Sequence, residues 1–128
     1  MKKILIVDDS TFMRNVLKDI LLAKNSDAEL IAELEFFEAN GIVTARQQIK
    51  AVSPDAILLD IVMHESETEG VEFLREIQGF FDTSKVIIIS SIGQIEILDE
   101  CNKLGVKFYI QKPFEHSKII EAVNHIIK

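Results

Sequence analysis

Acidic side chains end two short apolar stretches of the chain, where a carboxylate is costly unless it is used. Asp60 ends the apolar run of residues 56–59 (AILL), and Asp8 and Asp9 end the run of residues 4–7 (ILIV). An ionised carboxylate at the edge of an apolar core must be hydrogen-bonded, paired or chemically active, because burying it uncompensated costs several kcal/mol. The pattern indicates a site built around Asp60.

Two more polar residues come at or just after the ends of predicted strands. Ser90 follows residues 86–89 (VIII), and Lys112 follows residues 106–110 (VKFYI). If the strands are parallel, all five polar side chains fall at the same edge of the sheet. Taken alone, Asp9 is explained as a helix N-cap, Ser90 as a turn residue and Lys112 as a solvated loop charge. Their joint occurrence favours a common site.

Three clustered carboxylates need a cation. At about 5 Å, each pair repels by roughly 3 kcal/mol for an effective dielectric constant of about 20. Lys112 supplies one positive charge, and a divalent ion brings the formal sum to zero. Oxygen ligands without nearby His or Cys select a hard ion such as Mg²⁺, with Mn²⁺ as a possible substitute. With the charge balanced, an Asp60 oxygen can attack a phosphoryl group, and we therefore predict phosphorylation of Asp60.

The elements that must position these residues form a βα pattern repeated five times. Apolar residues at helical spacing follow each strand, and the second strand is predicted at the end of residues 29–37. The strands are too apolar to leave a face in water, which favours a parallel sheet covered by helices on both sides. The predicted fold is α/β, a single doubly wound five-stranded parallel sheet. Gly79 and Gly105 are predicted to end the third and fourth helices, and the eight Phe are expected mostly in the core.

The composition limits the classes of function. The 128 residues carry 14 Lys+Arg against 21 Asp+Glu, and the net charge of -7 disfavours nucleic-acid binding. The apolar start is shorter than a secretion signal, and no run approaches transmembrane length. Cys101, the only cysteine, cannot form an internal disulfide. We expect one cytoplasmic domain over residues 1–128, without membrane insertion.

The motifs around these residues resemble those of the response-regulator receiver family, the CheY-like domains of two-component signalling. The likeness covers essentially the whole chain, through the motifs IVDDS (6–10), ILLDIVM (57–63), VIIISS (86–91) and QKPF (111–114). The resemblance implies a flavodoxin-like sheet with the strand order 2-1-3-4-5 known for this family. It also implies the following roles: metal binding by Asp8, Asp9, Asp60 and the backbone carbonyl of Val62; phosphoryl acceptance by Asp60; phosphate pairing by Lys112; and switching by Ser90 and Tyr109.

The resemblance further implies a phosphorylation-operated switch rather than an enzyme with an external substrate. A sensor histidine kinase would donate the phosphoryl group, and the face formed by the fourth helix, fifth strand and fifth helix would change. We expect no output domain after Lys128, and therefore a stand-alone receiver that signals by protein–protein contact. The downstream target is a flagellar motor-switch protein if the chain is chemotaxis-type, and a histidine phosphotransferase if it is a phosphorelay intermediate. The sequence leaves both open.

The chain departs from the family pattern near the acceptor. His64 stands where the family usually has proline, in an acidic loop that runs to Glu69 and is interpreted as solvated. Val62 and Ile92 are apolar where the family often has polar groups. With no side chain there to orient an attacking water, we expect slow self-dephosphorylation, measurable as the decay of the phosphorylated protein.

Two other classes of protein fit the sequence less well. A haloacid-dehalogenase-type phosphatase also uses an aspartate after a buried strand, but it needs a second acid where Val62 stands. A flavin-binding module needs a hydroxyl- and glycine-rich phosphate loop after the first strand. Asp8 and Asp9 would repel that phosphate.

Overall fold

The computed structural model describes residues 1–22, 33–61, 69–90 and 95–128. Strands and helices alternate along these ranges. The strands are β1 (Lys2–Val7), β2 (Leu34–Ala39), β3 (Ala56–Asp60), β4 (Val86–Ser90) and β5 (Phe108–Gln111). The helices are α1 (Thr11–Leu22), α2 (Ile42–Val52), α3 (Glu69–Ile77), α4 (Ile95–Lys103) and α5 (His116–Ile127).

The five strands form one parallel sheet in the order β2-β1-β3-β4-β5. This arrangement confirms the predicted fold class and strand order. The chain leaves β1 toward β2 and then returns across β1 to β3, so the order reverses between β1 and β3. In open sheets of this kind, the carboxyl ends of the strands at such a reversal form a crevice.

Two separate cores cover the two faces of the sheet. On one face, Leu5, Val7 and Leu59 pack with apolar residues of α2, α3 and α4. On the other face, Ile4 and Leu58 pack with apolar residues of α1 and α5. Successive strand residues point to opposite faces, so β1, β3 and β4 need apolar residues at nearly every position. The uninterrupted apolar runs that end at the acids follow from this double coverage.

The edge strands are less buried than the sequence predicts. Most residues of β2 and β5 are only half-buried, because each strand has a single neighbour in the sheet. The eight Phe divide accordingly: Phe73 is fully buried, five are half-buried at the margins of the two cores, and Phe12 and Phe80 are exposed. The expectation that most Phe lie in the core was therefore too broad.

None of the helices in the described ranges is long and apolar enough to cross a bilayer.

The ends of two helices are fixed by local hydrogen bonds. Ser10 caps α1, because its hydroxyl accepts the Met13 backbone N–H at 3.1 Å. At the end of α4, the Gly105 N–H donates to the Asn102 carbonyl and the Val106 N–H to the Cys101 carbonyl, both at 3.1 Å. This closure uses the Val106 N–H, and β5 accordingly begins at Phe108 rather than at residue 106. Helix α3 ends at Ile77, two residues before the predicted Gly79.

Gly105 is required by this closure, so the variant Gly105→Ala should lose about 2 kcal/mol of unfolding free energy. Its φ angle of 101° is left-handed, and an added Cβ would collide with the Thr83 hydroxyl. That hydroxyl donates to the Leu104 carbonyl at 2.5 Å. Chemical denaturation measures the loss. The matched variant Gly79→Ala, where nothing lies within 4 Å of the new Cβ, should change stability by less than about 0.5 kcal/mol. Equal effects in the two variants would contradict this explanation.

Candidate functional site

Asp8, Asp9 and Asp60 lie together at the carboxyl ends of β1 and β3. These strands are neighbours with Val7 opposite Leu59, so the residues that follow them come side by side. One carboxylate oxygen from each acid lies within 4.8 Å of the other two. Asp8 and Asp60 are 3% and 7% exposed, whereas Asp9 is largely exposed. The three acids form one cluster, which we call the acidic cluster, with two buried members and one that faces solvent.

Lys112 places its ammonium group between two of these acids. Its Nζ lies 3.6 Å from Asp8 Oδ2 and 3.6 Å from Asp60 Oδ2. Both distances exceed a hydrogen bond, so the contacts are ion pairs without direct proton sharing. The Lys112 backbone N–H donates to the Ser90 carbonyl at 2.8 Å, and this bond ties the segment after β5 to the end of β4.

Among the described residues, Lys112 balances only part of the formal charge of the acidic cluster. Burial raises the pKa of Asp8 above its usual range. The Ser10 backbone N–H, which donates to Asp8 Oδ1 at 2.8 Å, and the charge of Lys112 both act in the opposite direction, but they do not cancel it. The Asp9 carboxylate adds to the increase. Burial and the Asp9 carboxylate thus disfavour the ionised form of Asp8, and additional positive charge nearby would favour it.

The donor set of the acidic cluster fits a hard divalent cation. Three carboxylates and one ammonium group leave a formal charge of about -2, which a divalent ion neutralises. In the part of the chain that the structure describes, no His or Cys joins the cluster. Oxygen donors alone select Mg²⁺ or Mn²⁺ over ions that prefer nitrogen or sulfur.

Ser90 and Tyr109 occupy the two strands beyond Asp60. Ser90 ends β4 and is buried; its neighbour Ile89 pairs with Asp60 across the sheet. Tyr109 lies on β5, and its hydroxyl contacts the Val106 carbonyl at 3.1 Å and the Leu98 carbonyl at 3.3 Å. Burial is the main cause that raises the pKa of Tyr109 to about 12, so the phenol remains a donor at neutral pH. Tyr109 thereby links β5 to α4.

The predicted carbonyl ligand Val62 lies outside the described residues, as do His64 and Ile92, and the side chain of Glu69 is not described either.

Gly70 in α3 packs against the backbone that follows Asp60. A Cβ at Gly70 would lie 2.9 Å from Ile61 Cα, closer than a side chain tolerates. Glycine at this position allows α3 to begin in contact with the end of β3.

Sequence reasoning missed Arg14 and Glu38, which lie beside the acidic cluster. Arg14 Nη1 donates to the Asp8 carbonyl at 2.6 Å, and Arg14 Nε donates to Glu38 Oε1 at 3.1 Å. Lys18 Nζ also binds Glu38, at 3.1 Å. Although burial opposes it, these two cations lower the pKa of Glu38. The available signals were a charged residue within the apolar spacing of α1 and an acid directly after Phe36-Phe37 in β2.

Three comparisons with known proteins point to the same family. The response regulator receiver domain family matches residues 4–124. The chemotaxis protein CheY of Listeria monocytogenes is 39% identical over 128 residues, which is 100% of both chains. The chemotaxis protein CheY of Thermotoga maritima is 35% identical over 99% of this chain and 98% of its own. A CheY-like receiver domain structure from Methanospirillum hungatei has the same fold, with a TM-score of 0.83 at 24% identity over 99% of this chain and 94% of its own.

The unbalanced charge of the acidic cluster leads to a stability prediction. Without divalent ions, Asp8→Asn should raise the free energy of unfolding by about 1–2 kcal/mol, because it removes a buried charge that neighbouring acids repel. The amide oxygen of the variant can still accept from Ser10. The variant should also lose most of the stabilisation that the wild type gains from Mg²⁺, because a ligand is missing. Chemical denaturation with and without Mg²⁺ measures both effects.

The control is Asp19→Asn, which removes the same charge from the exposed surface of α1. It should change neither the stability without metal nor the gain from Mg²⁺. A loss of stability in Asp8→Asn without divalent ions would mean that the protein's own groups already balance the cluster.

Proposed function

The chain belongs to the response regulator receiver domain family, and on this basis we propose that it is a chemotaxis-type switch operated by phosphorylation of Asp60. The observation that supports this choice of acceptor is the position of its carboxylate, together with the motif that surrounds it. Asp60 is buried at the reversal point of the sheet, 3.6 Å from the Lys112 ammonium group and next to Asp8 and Asp9. Asp8 shares its burial and its distance to Lys112, so the geometry narrows the acceptor to these two acids, and the ILLDIVM motif (57–63), which resembles the family's acceptor motif, selects Asp60.

The proposed reaction is an in-line transfer from a phosphohistidine of a sensor kinase. An oxygen of Asp60 attacks phosphorus, a new P–O bond forms, and the P–N bond to the histidine breaks with its electron pair leaving on nitrogen. Lys112 pairs with the phosphoryl oxygens from the Asp60 side. Asp8 and Asp9, together with Asp60, would hold Mg²⁺. When bound, this ion neutralises the negative charge on the transferring group.

The proposed response runs from Ser90 to Tyr109. The hydroxyl of Ser90 donates to an oxygen of the new acyl phosphate, and this shifts the end of β4. Because the Ser90 carbonyl holds the Lys112 backbone, the shift reaches the end of β5 directly. Tyr109 then gives up its contacts with the Leu98 and Val106 carbonyls, and the link between β5 and α4 is lost. The surface of α4, β5 and α5 changes as a result.

The proposed partners are a sensor histidine kinase and a downstream protein that recognises this surface. Relatives named chemotaxis protein CheY match along the whole chain, and they favour a flagellar motor-switch protein over a histidine phosphotransferase as the target. We place this signalling in the cytoplasm. We also propose that the chain turns over no external substrate, and that its chemistry is limited to gaining and slowly losing its own phosphoryl group.

Incubation with acetyl phosphate and Mg²⁺ tests the acceptor. The wild type should gain the mass of one phosphoryl group, and Asp60→Asn should gain none, because an amide oxygen is a poor nucleophile. The control is Asp55→Asn, which changes an acid at the opposite end of the same strand and retains an acceptor for the Lys3 N–H, 2.8 Å away. It should be phosphorylated like the wild type. Phosphorylation of Asp60→Asn at the wild-type rate would refute the assignment.

The single Tyr and the absence of Trp allow a direct test of the proposed switch, since tyrosine fluorescence reports Tyr109 alone. Phosphorylation of the wild type should change the fluorescence, because the hydroxyl leaves its carbonyl partners. Ser90→Ala should still take up phosphate but show a smaller change. Asp60→Asn, treated in the same way, should show none. Full phosphorylation of the wild type with unchanged fluorescence would exclude Tyr109 as the switch.

A further inference from the structure

We propose that Arg14 is the positioning residue for the metal-binding acids and that Glu38 holds Arg14 in place. This inference rests on the proposed function, because it assigns Arg14 a role in Mg²⁺ affinity. Arg14 is not a ligand in this arrangement. It acts through the backbone between Asp8 and Asp9.

The Arg14 guanidinium group connects three elements near the acidic cluster. Its Nη1 donates to the Asp8 carbonyl at 2.6 Å, its Nε to Glu38 Oε1 at 3.1 Å and its Nη2 to Thr11 Oγ1 at 3.1 Å. Its side chain is only 13% exposed. A planar guanidinium group can reach acceptors in three directions at once, which a lysine ammonium group on a flexible stem does less well.

The carbonyl that Arg14 holds belongs to the peptide bond joining Asp8 to Asp9. The other side of Asp8 is fixed by its N–H, which donates to the Ala39 carbonyl at 3.0 Å, and its carboxylate by the Ser10 N–H. Asp9 is exposed, so burial does not fix its direction. The orientation of this peptide plane is therefore one of the constraints on the position of the Asp9 carboxylate. Removing the Arg14 contact frees that plane to rotate.

Glu38 keeps Arg14 in the required direction. Glu38 lies on β2, and β2 pairs with β1 so that Ile6 is opposite Glu38. Its two carboxylate oxygens bind different cations, Oε1 binding Arg14 and Oε2 binding Lys18. Lys18 thus shares Glu38 with Arg14, but no contact between Lys18 and the Asp8 backbone occurs in the described ranges. This difference makes Lys18 a matched control.

The charge of Arg14 and its positioning role predict opposite changes in Mg²⁺ affinity when Arg14 is removed. Arg14 is a cation near a cation-binding site, so removing its charge alone should strengthen Mg²⁺ binding. If Arg14 positions the acids, removing it should weaken Mg²⁺ binding, because groups that orient metal ligands contribute strongly to affinity. The sign of the change therefore separates the two effects.

Titration calorimetry with MgCl₂ on the full chain provides the test. Arg14→Gln should bind Mg²⁺ about tenfold more weakly than the wild type. Lys18→Gln loses the same charge and a contact on the same Glu38, and it should bind Mg²⁺ as tightly as the wild type or slightly more tightly. Arg14→Lys keeps the charge but not the planar fork, and its affinity should also fall.

The outcomes separate this inference from the proposed function. Arg14→Gln binding Mg²⁺ as tightly as the wild type, or more tightly, overturns the positioning role even if the variant is less stable, and then Arg14 only fastens α1 to β2. Absence of Mg²⁺ binding by the wild type overturns the proposed function as well. Circular dichroism shows whether Arg14→Gln is folded. If it is not, Arg14→Lys decides, and an unchanged affinity in that variant refutes the proposal.

Discussion

The concentration of negative charge at one edge of the sheet is the constraint on which the site depends. Asp8 and Asp60 are nearly excluded from water, and Asp9 adds a third charge within 4.8 Å. Repulsion among three carboxylates at this separation disfavours the folded state unless cations balance it. Lys112 supplies part of the balance, while burial and, to a smaller extent, Asp9 raise the pKa of Asp8. The same imbalance that costs stability would attract a divalent ion and, through it, a phosphoryl group.

The sheet topology brings these groups together from distant parts of the sequence. The reversal between β1 and β3 places Asp8 and Asp9 beside Asp60, and the order β3-β4-β5 adds Ser90 and then the segment that carries Lys112. Each strand is one step from the next, so a displacement at Asp60 has a short path to β5. The hydrogen bond from the Lys112 N–H to the Ser90 carbonyl is one link of that path. The contacts of Tyr109 with carbonyls at and beyond α4 are another. The proposed acceptor and the proposed output surface are thus joined through neighbouring strands.

The central strands were predictable because double burial leaves a strong pattern. β1, β3 and β4 need apolar residues on both faces, and their runs end where a polar residue is required. The edge strands carry a weaker pattern, since one side of each lacks a partner strand. The sequence pattern therefore places β2 only approximately, and it extends the predicted fifth strand to residue 106. In the structure, the Val106 N–H instead donates to the Cys101 carbonyl at the end of α4, so it is not available to the strand.

The sequence by itself determined the fold class, the strand order through its resemblance to a family, and the set of polar residues that follow the strands. It did so because periodicity and residue type are local properties. Only the tertiary structure decided that Lys112 stands equally far from Asp8 and Asp60, that Gly70 touches the backbone after Asp60, and that Arg14 and Glu38 support the acidic cluster. These features depend on distances between elements far apart in the chain. A charged residue on a helix carries no local sign of the carbonyl that it will reach.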